Sequence, residues 1–171
     1  MARAVYGIAQ THADTARVID ALRAAGFKTT DLSVLAPHNM GDEGLAIEKQ
    51  TKALEGTATG ASAGGVLGGV FGLLVGLGTL AIPGLGMFVA AGPLLATLSG
   101  IGIGGSMGGL AGGLIGMGIP EYEAKAYEGQ LEHGGILISV HCSDESDIEQ
   151  ARHLMEQAGA RDIAVSRQAA A

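Results

Sequence analysis

From Gly56 to Pro120 the chain carries no Asp, Glu, Lys, Arg or His, a run of 65 residues that also holds 22 of the 30 glycines. Many of those glycines recur every fourth residue. One series is Gly56, Gly60, Gly64, Gly68, Gly72 and Gly76; a second is Gly100, Gly104, Gly108, Gly112 and Gly116, with Gly105, Gly109 and Gly113 beside it. On an apolar helix that spacing lays a stripe without side chains along one face, where a second backbone can approach closely. Two such stripes separated by Pro83-Gly84 predict a glycine-zipper helical hairpin over residues 58–119.

Glycine limits where such a hairpin can exist. Each Gly in a water-exposed helix costs roughly 1 kcal/mol relative to Ala. More than a dozen would abolish an isolated helix unless close packing offsets the loss. By length both limbs can cross a bilayer. Gly60 to Ile82 has no charge and as a helix measures about 35 Å, against a hydrocarbon core of about 30 Å. The second limb, Met87 to Ile119, restarts at Pro93 and runs to Gly118.

Three readings of this block compete: a membrane-inserted hairpin, a soluble homo-oligomer that buries many hairpins together, and a glycine-rich linker. Leu, Ile, Val, Met and Phe are too dense for the linker. Thr57, Thr59, Ser62, Thr79, Thr97, Ser99 and Ser106 leave the block less apolar than an ordinary span, which keeps the lipid-free form open. Two spans return the chain to its starting side, and Lys49, Lys52 and Lys125 near the ends make that side cytoplasmic.

The rest of the chain, about 105 residues, is enough for a small domain with its own core. Ala4 to Ala9 reads as a buried strand, and Thr11 to Asp14 as a capping box. The helix it opens buries Val18, Ile19, Leu22 and Ala25 and stops at Gly26. Asp31 to Ala36 is a second strand. After the block the plan repeats: strand Ile136 to Cys142, Ser143-Asp144 as cap, a helix with Ile148, Ala151, Leu154, Met155 and Ala158 inward, a stop at Gly159, and strand Ile163 to Ser166. Two βαβ halves, 1–41 and 134–171, specify an α+β fold: a ferredoxin-like head with a four-stranded antiparallel sheet and two helices on one face. Helical stalks over 42–57 and 120–133 join it to the hairpin. Tyr122, Ala126 and Leu131 form the apolar edge of the second stalk.

The phrases Ala81-Ile-Pro-Gly-Leu-Gly86, Ala90-Ala-Gly-Pro93, Gly118-Ile-Pro-Glu-Tyr-Glu-Ala124 and Gly134-Gly-Ile-Leu-Ile-Ser-Val140 resemble the recurring phrases of the bacterial general stress protein family, heat-induced, 17M-like type. The resemblance covers essentially the whole chain. It implies a short βα unit paired with a glycine-rich insert and an association with stress, and brings no catalytic residues.

Little chemistry is written elsewhere. A net charge of −7, 4 percent aromatics and no Trp argue against a nucleic-acid partner. Cys142 is the only cysteine, which fits a reducing compartment, and Met1 to Gly7 has no signal-peptide pattern. His141-Cys142-Ser143-Asp144 reads as a strand end running into a helix cap, its first two side chains on opposite faces. A lowered thiol pKa for Cys142 beside that helix start is conceivable. His12, His38, His133 and His153 lack metal-ligand spacing and read as solvated surface. The GxG runs near Gly102 follow no strand and lack the lysine of a P-loop.

The expectation is therefore a non-enzymatic, stress-associated structural protein without a cofactor or metal. It assembles with itself through Gly60, Gly64, Gly68, Gly72, Gly76, Gly100, Gly104, Gly108, Gly112 and Gly116 at or in the cytoplasmic membrane, with its head in the cytosol. The alternatives are a soluble cytoplasmic particle with a shared apolar interior, able to hold apolar molecules, and a ligand-sensing ferredoxin-like module.

Overall fold

The computed structural model describes residues 3–37, 78–82, 86–94, 98 and 109–166. The flanking halves fold largely as their patterns dictate. β1 (Arg3–Ala9) leads to α1 (His12–Ala24), and β2 (Leu32–Pro37) follows a single 3-10 turn over Thr29–Asp31. Thr11 caps α1, its side chain accepting from the Asp14 amide at 3.1 Å. Past the glycine-rich block, β5 (Ile136–Cys142), α4 (Glu145–Gln157) and β6 (Arg161–Val165) complete the same plan. The cap of α4 is Asp144, which accepts from the Asp147 amide at 2.9 Å. Gly26 and Gly159 end the helices at positive φ.

The uncharged block departs from the expected hairpin of helices. Gly78–Ile82 is a strand, β3, and Gly86–Ala91 is another, β4. They pair antiparallel from Gly78 opposite Ala90 to Ile82 opposite Gly86, and β4 pairs with β2, Val34 lying opposite Ala91 and Pro37 opposite Phe88. The chain thus reverses between Ile82 and Gly86, but between strands. The sheet is wholly antiparallel with six strands in the order β3-β4-β2-β5-β1-β6, where four were expected. Farther on, only α2 (Gly109–Gly116) and the helical residues Pro93, Leu94 and Leu98 represent the second limb among the described residues. Residues 58–77, the stalk over 42–57 and His38 lie outside them.

The physical reason is sheet completion. β2 without β4 would be an edge with an open row of amides and carbonyls, and Phe88-Val-Ala-Ala91 supplies the alternating partner that closes it. Phe88 and Ala90 enter the core on one face, and Val89 and Ala91 on the other. The four-residue glycine registers, which end at Gly76 and resume at Gly100, do not reach this stretch, where period two prevails.

Both sheet faces are covered. On the first lie α1 and α4, whose Val18, Ile19, Leu22, Ile148, Ala151 and Met155 pack on Val5, Leu32, Val34, Ile138 and Val140. On the second lie α2 and α3 (Glu121–Glu132), packed on Ala4, Tyr6, Ile8, Leu35 and Leu137. The expected stalk over 120–133 is thus helical but does not lead away from the head: Ala124, Tyr127 and Leu131, at i, i+3 and i+7, face the sheet fully buried. Of its expected apolar edge, Leu131 is buried and Ala126 half-buried, whereas Tyr122 is 83 % exposed.

Candidate functional site

Of the glycines expected to form an assembly contact, Gly112 and Gly116 fall in the described residues, both on α2; Gly60, Gly64, Gly68, Gly72, Gly76, Gly100, Gly104 and Gly108 lie outside them. Half of the eight residues of α2 are glycine, a helix cost of about 3–4 kcal/mol against alanine. Leu110 and Leu114 are completely buried, each contributing about 2–3 kcal/mol. Burial therefore offsets the glycine penalty only because α2 is pressed onto the sheet. Glu128 on α3 helps: its Oε2 accepts from the Ala111 amide at 2.7 Å, placing a carboxylate at the positive end of the helix. At the other end the Ile119 amide returns to the Leu114 carbonyl at 3.2 Å, burying Met117 and Ile119 beneath the turn.

The two glycine registers of α2 part company here. Gly113 is buried beside Leu110 and Leu114, whereas Gly112 is half-buried and Gly116 exposed together with Ile115. The side-chain-poor strip through Gly112 and Gly116 is turned away from the sheet. Ile115 and the exposed Tyr122, at the start of α3, are the large apolar side chains left in water among the described residues.

Beneath α3 a polar latch ties the second layer to the far side of the sheet. The buried Tyr127 hydroxyl donates to the carbonyl of Asp162, which sits at a φ of 51° in the first part of β6. Gln130 bonds the Asp162 carboxylate and receives the Gln10 amide at 2.9 Å. Burial pushes the Tyr127 phenol far up, with the Asp162 carboxylate adding to the effect, and pushes Tyr6 up to about 12. Both phenols are therefore neutral at neutral pH. Tyr127 was missed in the sequence; its three- and four-residue spacing to Ala124 and Leu131 was the available signal.

The His141–Asp144 segment is the expected strand end and cap. Cys142 is buried, its Sγ 3.7 Å from the Val140 carbonyl. Its thiol is pushed up to about 12 by burial and by the carboxylates of Asp147, Asp144 and Asp31, the reverse of activation by a helix start. A hollow of about 200 Å3 opens nearby between the end of α1 and the first turns of α4, lined by Lys28, Asp31, His141, Ser143, Asp147 and Gln150. Ser143 and His141 both line it, and the buried His141 Nδ1 has no hydrogen-bond partner among the described residues. His12 is buried in the first turn of α1 and not solvated as expected, whereas His133 and His153 are exposed. Among the described residues no three His, Cys, Asp or Glu side chains converge to hold a metal ion. No described helix is long and apolar enough to cross a membrane. Set against known proteins, the chain matches no family model, no curated protein and no solved structure.

Proposed function

We propose that this protein is a non-enzymatic assembly module: a ferredoxin-like head that associates with further copies through its glycine-rich part. The observation that carries this reading is the outward strip of α2, where Gly112 and Gly116 continue the four-residue register on the side away from the sheet. A neighbouring backbone can approach there without meeting a side chain. The order β6-β1-β5-β2, with α1 and α4 on one face, supports the ferredoxin-like reading of the head, and β3, β4, α2 and α3 are additions to it. The stress association rests on the sequence phrases alone.

Of the two forms of assembly, the lipid-free one has the better support. A two-span hairpin needs Pro93–Gly118 as its second span, yet residues 109–116 belong to the layer packed on the sheet, with Leu110 and Leu114 buried there. The chain between β2 and β3 is 40 residues long, 38–77. Its uncharged part, the 22 residues from Gly56 to Leu77, is long enough for about one crossing and not two. Light scattering on the full chain without detergent tests the reading. A particle of several copies is expected, reduced at least severalfold in mass by Gly112→Leu with Gly116→Leu. A monomer in buffer, or a protein extracted only by detergent, would contradict it. The ligand-sensing alternative has one support, the polar hollow at Lys28 and His141; a ligand there would raise the melting temperature of the head.

A further inference from the structure

The six-stranded sheet has two unlike edges. β6 ends it on one side with Arg161 and Asp162, a positive φ at Asp162, and a register shift against β1 between Tyr6 and Ile8. Charge, an irregular backbone and a bulge are the features by which strands at a sheet margin resist further pairing. β3 ends it on the other side as Gly-Thr-Leu-Ala-Ile, without charge, proline or register shift, and among the described residues nothing pairs with its outer side. The chain is acidic, with a net charge of −7, so two copies repel each other over most approaches. Of the two margins, the less repelled approach is at β3, which carries no charge, whereas β6 carries Arg161 and Asp162.

We propose that the outer edge of β3 is a contact between copies: two β3 strands pair antiparallel about a two-fold axis, joining two sheets into one. A strand paired antiparallel with its own copy is self-complementary in amides and carbonyls, and each residue then meets an uncharged one. Full overlap sets Gly78 opposite Ile82 of the second copy, Thr79 opposite Ala81, and Leu80 on the axis opposite Leu80. The contact rests on the assembly reading above and adds to it. One two-fold contact closes a pair, so a larger particle needs a second surface, the role left to the α2 strip.

Residues directly opposite in an antiparallel pair have Cβ atoms about 4.5–5.5 Å apart, within reach of a disulfide after small adjustment. The full chain is oxidised with copper phenanthroline as wild type, as Leu80→Cys, and as Asp162→Cys for the opposite edge. Cys142, buried in every case, serves as the internal blank. Most of the Leu80→Cys protein should run as a covalent dimer on a non-reducing gel, with less than about a tenth of the other two. Leu80→Lys, checked for a native circular dichroism spectrum, should sediment at no more than half the wild-type mass. If wild type assembles but Leu80→Cys gives no more dimer than Asp162→Cys, the β3 contact is overturned and the assembly reading stands. If wild type is a monomer at every concentration, both fall.

Discussion

At Gly92 a single added carbon would meet backbone at once. It leaves β4 at a φ of 85°, and a Cβ built there would lie 2.1 Å from the Leu32 carbonyl oxygen. That close approach lets the Leu94 amide reach the Ser33 hydroxyl at 3.1 Å. Gly92→Ala should lower stability by at least about 2 kcal/mol in urea denaturation, since strain at positive φ adds to a clash with backbone. Gly7→Ala is the comparison: its Cβ would meet the flexible end of Met155, so a loss below about 1.5 kcal/mol is expected. Burial raises Tyr6 to about 12, so the neutral phenol is favoured in the folded state. Its contribution is present below about pH 10 and is lost as pH rises from about 10 to 12. In a Tyr122→Phe variant, phenolate absorbance should therefore stay absent until about pH 11 and appear as the head unfolds. Cys142, raised to about 12, should react with iodoacetamide at pH 8 on the order of a hundredfold or more slower in the native protein than in urea.

Elements differ in how openly the sequence announces them. β5 was visible from Ile136 to Cys142 because alternation and β-branched residues agree there, and α1 because Thr11 and Asp14 form its cap. β3 and β4 were not, because Gly-Thr-Leu-Ala-Ile and Met-Phe-Val-Ala-Ala are as apolar as a helix interior. Only the unpaired side of β2, a tertiary fact, decides between the two. α3 was read as a helix in the right place, but its destination depended on Tyr127 finding Asp162 across the sheet. Tyr127→Phe should cost about 1–2 kcal/mol in thermal melts, because the Asp162 carbonyl loses its buried donor. Glu128→Gln should cost about 0.5–1 kcal/mol and speed hydrogen exchange at Ala111, the amide its carboxylate accepts. Of the glycine strip, the register was legible but its direction was not. Leu110 and Leu114, by facing the sheet, turn Gly112 and Gly116 outward.

Taken whole, the molecule is a sheet covered on both faces, charged along one margin and uncharged along the other. Among the described residues, the uncharged block is no separate appendage: β3 and β4 widen the sheet and α2 roofs its second face. That arrangement offsets the cost of the glycines in α2, and the proposed self-association would use the uncharged side. The most direct test is hydrogen exchange on the full chain in detergent-free buffer, read by mass spectrometry for peptides spanning 86–94 and 109–119. Protection comparable to that of a peptide spanning 136–142, lost together with it in urea, is the expected result. Exchange within seconds in those two peptides, or protection that appears only when lipid or detergent is added, would contradict the account.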